Sequence, residues 1–333
     1  MIDVPLSVLD VAPVAANGSP AEALAHTTAL ARRTEELGFR RFWVAEHHNM
    51  PAIASSAPAV LLAHLAAATS TIRVGSGGVM LPNHAPLVVA EQFGTLSALH
   101  PGRIDLGIGR APGTDQATAL ALRRTVEGLS AEQFPQELAS LINYFTGDQP
   151  GPIVASPGAG ESPDVWLLGS SGYSAQLAGL LGLPFAFAHH FSAQNTLPAL
   201  ALYRDRFTPS RWLDEPYAMV AVSTVCADTD ERAQYLTGPA GLSFLRMRQG
   251  RPQPLATPEE AAAYPLSDVE RAFMADRQVG QAVGSPETVA GQLSALLEAT
   301  QANELMLTTM VYDVKDRIRS FELVRSLVDR PSS

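Results

Sequence analysis

The stretch RFWVAEHHNM, residues 41–50, runs from strand-forming apolar residues directly into a carboxylate and two adjacent imidazoles. Only eight histidines occur in 333 residues. Two of them side by side, where a buried strand surfaces, raise the question of what the other strand ends carry. Short apolar, β-branched runs of the same kind recur at residues 4–9, 72–76, 103–108, 165–168, 185–188, 217–225 and 304–307. With 41–45 they make eight, separated by helical segments, the alternation that implies parallel strands joined by crossover helices. Eight such units close a barrel. The spacing therefore predicts an α/β chain folded as a single (β/α)8 TIM barrel over residues 1–333.

The intervening helices carry their own start and stop signals. Residues 20–37 end at Gly38 and residues 173–181 at Gly182, while 58–69 and 86–99 each begin at a proline suited to a first helical turn. Ser285-Pro286-Glu287 opens a helix to about residue 300, and residues 314–328 form the last one. Two connections exceed a simple crossover and read as insertions after strands 4 and 7. They span residues 109–164, with a helix at 131–145, and residues 228–284, with the polar, proline-spaced RMRQGRPQPLATPEEAAAYP. Long insertions in a compact domain commonly serve as lids.

Composition narrows the class of function. With 46% hydrophobic and 17% charged residues the chain can bury a large core, and a formal charge of −10 repels nucleic acid and anionic membrane surfaces. Neither is expected as a partner. The start, MIDVPLSVLDVAPVAANG, lacks a basic n-region, and no uninterrupted apolar run reaches the roughly 18 residues of a membrane span, so a cytoplasmic protein is expected. Cys226, the single cysteine, lies in a strand-like run and reads as a structural thiol.

In a parallel barrel the active site is built at the C-terminal ends of the strands. The second strand delivers Glu46, His47, His48 and Asn49; the third Gly77, Gly78, Met80 and His84; the fourth Gly109 and Arg110; the fifth Gly169 to Gly172; the sixth His189 and His190. Adjacent side chains on extended backbone point to opposite sides, so one of His47 and His48 faces the barrel axis and the other bonds to scaffold. A metal site would call for H-x-H or H-x-x-x-H spacing, which is missing, and no metal is expected. GIGRAPG departs from a dinucleotide fingerprint, because Pro112 intrudes and Gly113 comes one residue late.

An anion site is legible in LLGSSGYSAQL. There a strand, a small-residue turn and a helix start let the backbone at Gly172 and Tyr173 and the hydroxyls of Ser170, Ser171 and Ser174 converge on a phosphate. Capping needs one such hydroxyl, not three. Arg110 supplies the cation that an acidic protein needs at such a site. Gly75, Gly77 and Gly78 let the third strand either approach a flat ligand, with Met80 adding apolar surface, or form a plain glycine bulge; the residues alone fit both.

These stretches, AEHHN, GSGGVMLPNHAPLVVAEQFGTLSALHPGRIDLGIGRAPG, GSSGYSAQLAGLLGLPFAFAHH and VGSPETVAGQL, resemble the bacterial luciferase-like flavin-dependent monooxygenases along essentially the whole chain. The resemblance implies a (β/α)8 barrel that binds exchangeable reduced FMN, or in some branches the deazaflavin F420. It implies His47 as the catalytic acid/base, Gly77-Gly78 as a non-prolyl cis peptide beneath the flavin ring, Arg110 as the phosphate-pairing arginine, and Ser170, Ser171 and Ser174 as the phosphate loop. His48, His84, His189 and His190 are assigned to the substrate pocket. Where the light-emitting members have a reactive cysteine this chain has Gly109, and His189-His190 replaces their tryptophans. The expected activity is oxygenation of a small organic substrate with O2 and FMNH2 from a separate flavin reductase. A homodimer is expected from the family habit and the apolar helix APAVLLAHLAAATS. A metal-dependent barrel hydrolase and a non-catalytic flavin-binding protein are the readings of other classes.

Overall fold

The structure, a computed structural model, describes residues 2–111, 115–123, 131–148 and 150–328. Pro112 and Gly113 lie outside the described residues.

Eight parallel strands close on themselves. β1 (Leu6–Asp10), β2 (Arg41–Val44), β3 (Arg73–Met80), β4 (Ile104–Gly109), β5 (Asp164–Gly169), β6 (Phe185–Ala188) and β7 (Ala218–Cys226) follow one another, with β7 paired both to β6 and to β9 (Glu304–Thr308), which pairs back to β1. The predicted runs match these strands to within a few residues. A short strand, β8 (Ala282–Gly284), adds itself to the outer end of β7 in the register Thr224–Ala282 to Cys226–Gly284. At three residues it is too short to read from sequence.

The helices fill the crossovers. α1 (Pro20–Glu36) begins with a capping box, in which the Ser19 amide donates to Glu22 Oε2 at 2.7 Å and the Glu22 amide to Ser19 Oγ at 3.2 Å. α2 (Pro58–Ala68) and α3 (Pro86–Leu99) start at their prolines. The first insertion carries α4 (Gln116–Arg123) and α5 (Phe134–Thr146), the latter three residues later than the sequence pattern implies because a 3-10 turn precedes it. α6 (Gly172–Leu181) stops at Gly182, whose φ of 61° is the left-handed conformation that glycine tolerates. α7 (Thr196–Arg206) joins β6 to β7, and the second insertion is built of α8 (Asp230–Arg248), α9 (Pro258–Ala263) and α10 (Asp268–Gln278). α11 (Pro286–Thr300) and α12 (Val314–Arg325) complete the ring.

Two apolar layers hold the barrel. The outer one packs strand residues such as Val8, Phe42, Val74, Leu106 and Phe185 against the helices. The inner one, Leu9, Trp43, Trp166, Ala186, Met219, Ala221 and Met306, fills the barrel axis. Below it lies a polar plug. Buried Arg41 donates to Asp105 at 2.8 Å and to Glu304 at 3.1 Å, and Glu304 also accepts from Ser7 Oγ at 2.5 Å and Tyr217 OH at 2.8 Å. A buried guanidinium is tolerated only with such partners. Gly75 belongs to this packing: a Cβ there would come within 2.6 Å of both Asp105 Cβ and Trp43 Nε1. Its small size makes room for the indole, not for a ligand, which corrects the sequence reading.

Candidate active site

The upper part of the barrel opens into a cavity of about 610 Å³. Barrel residues Leu9, Trp43, Gly77, Leu168, Ala221 and Met306 line one side of it. The loop from Met50 to Ile53 and helices α8 and α10 line the rest, through residues that include Phe244, Met247, Met274 and Arg277. A large part of the wall thus comes from the second insertion, whose polar face hides its role in the sequence. α8 carries Pro239 in its interior and buries it with Ala233, Leu236, Leu242 and Leu245.

His47 reaches this wall from the end of β2. Its amide donates to the Ser55 carbonyl at 3.0 Å, while Ser55 Oγ donates to the Ala45 carbonyl at 2.5 Å, so the backbone carrying the imidazole is clamped. Nδ1 of His47 is sealed from solvent and has no hydrogen-bond partner among the described residues. A buried polar atom without a partner calls for an explanation. Burial lowers the pKa of His47 below its usual value, outweighing the opposite pull of Glu46, with His48 adding to the lowering.

Glu46, fully buried beside it, is a junction that sequence reasoning passed over. Its carboxylate accepts from His48 Nε2 at 2.9 Å, Asn83 Nδ2 at 3.0 Å, His84 Nε2 at 3.0 Å and the Met80 amide at 3.0 Å. Burial alone would raise its pKa, yet the hydrogen bond and charge of His84, followed by the bonds from His48 and Asn83, take it below the ordinary carboxylate value. The signal was present, since a carboxylate placed straight after a fully buried strand must find donors. A carboxylate only accepts, so both imidazoles present Nε2–H to it.

The four histidines assigned to the substrate pocket therefore separate. His190 lines the cavity, with Nδ1 donating to the Ala221 carbonyl at 3.0 Å. Burial pushes its pKa down to about 4. His48 and His84 are bound to Glu46, and His48 borders a different, open groove against Ala117, Thr118, Ala121 and Leu122 of α4. His189 turns away: its Nδ1 meets Thr196 Oγ1 at 2.7 Å and its Nε2 donates to the Gly280 carbonyl at 3.0 Å, tying β6 to the end of the second insertion. Neighbouring imidazoles leave the chain toward different sides, which separates His48 from His47 and His189 from His190, whereas His84, just past the 3-10 turn at Leu81–Asn83, is drawn off the wall by Glu46. Among the described residues no three His, Cys, Asp or Glu side chains are grouped to hold a metal ion.

The peptide between Gly77 and Gly78 is cis. Gly77 faces the cavity, and a Cβ on it would come within 2.6 Å of Leu9 Cδ1. Gly78 is packed instead against β4, where a Cβ would meet the Gly107 carbonyl at 2.8 Å. Met80 occupies the space that Gly109 leaves, its sulfur 2.8 Å from where a Gly109 Cβ would stand.

Arg110 and α6 meet at the same end of the barrel. The Arg110 guanidinium lies over the Tyr173 ring and has no carboxylate partner among the described residues. Ser171 sits in extended backbone ahead of α6 without a side-chain cap bond, leaving the first-turn amides of Gly172, Tyr173 and Ser174 available. Ser174 is buried beneath Gly169, where a Cβ would lie 2.6 Å from its Oγ, whereas Ser170 and Ser171 remain partly accessible. A cation beside open amides at a helix start is an anion-binding arrangement.

Comparison with known proteins agrees with this geometry. The luciferase-like monooxygenase family matches residues 4–304. The Bacillus subtilis (strain 168) protein YvbT is 52% identical over 97% of this chain and 96% of its own. A luciferase-like monooxygenase of Escherichia coli (strain K12) is 47% identical over 95% of each. Among solved structures, apo-MsnO8 superposes with a TM-score of 0.91 at 41% identity, covering 97% of this chain and 98% of that one. The oxygenating constituent of the Pseudomonas putida 3,6-diketocamphane monooxygenase, a type II Baeyer–Villiger enzyme in complex with FMN, gives 0.73 at 20% identity over 99% and 100%. An F420-dependent secondary alcohol dehydrogenase gives 0.66 at 17% over the same shares. The last two share the barrel; the nearly full-length match to the first three carries the assignment, and the chain belongs to the luciferase-like monooxygenase family of oxidoreductases.

Proposed function

We propose that this protein is an FMN-dependent monooxygenase that receives reduced FMN from a separate flavin reductase and uses O2 to oxygenate a small organic substrate. The reading is carried by one juxtaposition: a mostly apolar cavity with the His47 imidazole in its wall, and an open anion site at the same end of the barrel. The residues fit the cofactor. Gly77 lines the cavity, where a flat ring would lie against its backbone, and a side chain there would drive into Leu9, another residue of the same wall. Arg110, the amides of Gly172, Tyr173 and Ser174, and the hydroxyls of Ser170 and Ser171 would hold a phosphate. FMN in its reduced form supplies the two electrons with which one oxygen atom enters the product and the other leaves as water.

The protein's own work is positional and protonic. His47, neutral near pH 7, would exchange a proton with the reacting centre through the ring edge that lines the cavity, not through the sealed Nδ1. Glu46 sets the backbone from Met80 to His84 against the strand that carries His47. The walls from α8 and α10 would shield the reacting centre from bulk water. Self-association as a homodimer is part of the proposal, supported by the small apolar outer face of α2, where Val60 is 72% exposed.

Anaerobic titration with reduced FMN and, separately, reduced F420, followed by air and mass spectrometry of candidate substrates, tests the reading. Saturable FMN binding and incorporation of one atom from ¹⁸O2 are expected. Tighter binding of F420, or binding of neither cofactor, sinks it.

A further inference from the structure

The cavity holds a charge that the reactions described above do not use. Arg277 of α10 lines it, and among the described lining residues it is the only Asp, Glu, Lys or Arg. No carboxylate pairs with its guanidinium among the described residues; its one recorded side-chain contact is with the Phe244 ring, whose centre lies 3.3 Å from the guanidinium carbon. Phe244 is itself stacked on Phe273, 6.0 Å between centroids, so the aromatic surface beneath the cation is braced. Stacking satisfies the face of a guanidinium and leaves its edge of N–H donors unused. Gln281, also on the wall, donates to the Arg277 backbone carbonyl at 2.8 Å, which fixes the end of the helix that carries the charge.

Near pH 7 nothing else in the wall competes with this cation for an anion. His190 is kept neutral by burial, with the Arg277 charge contributing, and His47 is lowered in the same direction. An acidic protein that places one uncompensated guanidinium in an apolar chamber has a chamber suited to an anion with an apolar body.

We infer that Arg277 is a specificity-determining residue that binds the carboxylate, or an equivalent oxyanion, of an amphipathic substrate whose apolar part lies among Met247, Met274, Met306 and the barrel floor. The inference rests on the monooxygenase reading only in calling this ligand the substrate. Cofactor phosphate is assigned to Arg110 and α6, which line no part of this cavity, so two separate cations serve two anions.

Octanoate and octanamide, equal in length and differing in charge, are the probes. Their binding to the full chain is measured by calorimetry at pH 7.5 for wild type, Arg277→Gln and Arg277→Lys, alongside an anaerobic titration of each variant with reduced FMN. Wild type should bind octanoate about tenfold or more tightly than octanamide, the gain of one charge-assisted pair. Arg277→Gln should erase the preference and leave reduced FMN affinity unchanged, and Arg277→Lys should keep part of the preference. Equal affinity for the two probes, absence of octanoate binding, or a preference that survives Arg277→Gln overturns the proposal. Loss of FMN affinity in Arg277→Gln overturns it as well, by giving the arginine to the cofactor. An Arg277-dependent preference in a protein that takes up no reduced FMN leaves the anion site standing and removes the flavin reading instead.

Discussion

The Arg110 guanidinium carbon stands 4.3 Å from the centre of the Tyr173 ring, which brings the end of β4 against the first turn of α6. The ring takes the flat face of the cation and leaves its N–H edge directed elsewhere, while the neighbouring helix start adds amides and the positive end of a dipole. Two elements separated by the whole first insertion thus contribute to one anion site.

Replacing Arg110 by alanine should therefore weaken reduced FMN binding by about tenfold or more, corresponding to roughly 1.4 kcal/mol or above for one lost charge-assisted contact. Turnover of the flavin that does bind should be little changed, because Arg110 lines no part of the cavity that holds His47. Anaerobic titration and single-turnover product analysis separate the two effects. Unchanged affinity would take Arg110 out of the anion site.

His47→Ala should leave reduced FMN binding nearly intact and slow product formation by about a hundredfold, the lower range for loss of a general acid or base. Because burial lowers the His47 pKa below about 6.5, the neutral imidazole is already dominant at pH 7. The acid limb of the wild-type rate profile should accordingly fall below pH 6.5 and disappear in the variant. A rate equal to wild type, or an acid limb that persists without the imidazole, contradicts the role given to His47.

The barrel itself was readable because its strands are buried on both faces and announce themselves as apolar runs such as RFWV and YAMVAVSTVC. Helix starts at Pro20, Pro58, Pro86 and Pro286 were equally plain. The second insertion was not, since α8 buries only a narrow side and α9 and α10 fully bury no residue, while several α8 residues that line the cavity, Gln234, Thr237 and Ser243 among them, are small or polar. Sequence order located the rim histidines but could not say which way each ring turns. That depends on partners far along the chain, as with His189 and Gly280, 91 residues apart. Gly75 looked like a ligand-facing glycine because a glycine that admits a neighbouring side chain carries the same letter as one that admits a cofactor.

Glu46→Gln tests the junction behind His47. The amide would present an N–H2 group toward imidazoles that donate Nε2–H, leaving at least one buried donor unpaired at a cost of about 1–3 kcal/mol. The carboxylate's pKa is lowered in the folded state, so its contribution is fully present above its unfolded value near 4.5 and fades as pH falls through the depressed folded value. Urea midpoints should differ clearly between wild type and variant at pH 7 and converge as pH drops below about 4.5. A constant difference across that window would mean that the loss is one of packing rather than of charge.

Cys226 provides a check on the barrel wall that involves no ligand. The residue is 1% exposed, its amide donates to Ser320 Oγ at 2.9 Å, and it pairs with Gly284 at the seam between β7 and β8. Burial pushes its thiol up to about 12, with Asp228 acting in the same direction and Arg319 opposing. At pH 8 the thiolate fraction is then roughly one in ten thousand, far below that of a free cysteine. Native protein should resist iodoacetamide at pH 8 and label rapidly in urea, at a rate that follows unfolding. Since the folded pKa lies above the unfolded one, the stability due to the buried thiol is complete below about pH 8.5 and is lost as pH rises from there toward 12. Cys226→Ala should lack that part of the alkaline decline, so rapid labelling of the native protein, or an identical decline in both proteins, would show that the β7–β8 seam opens to solvent.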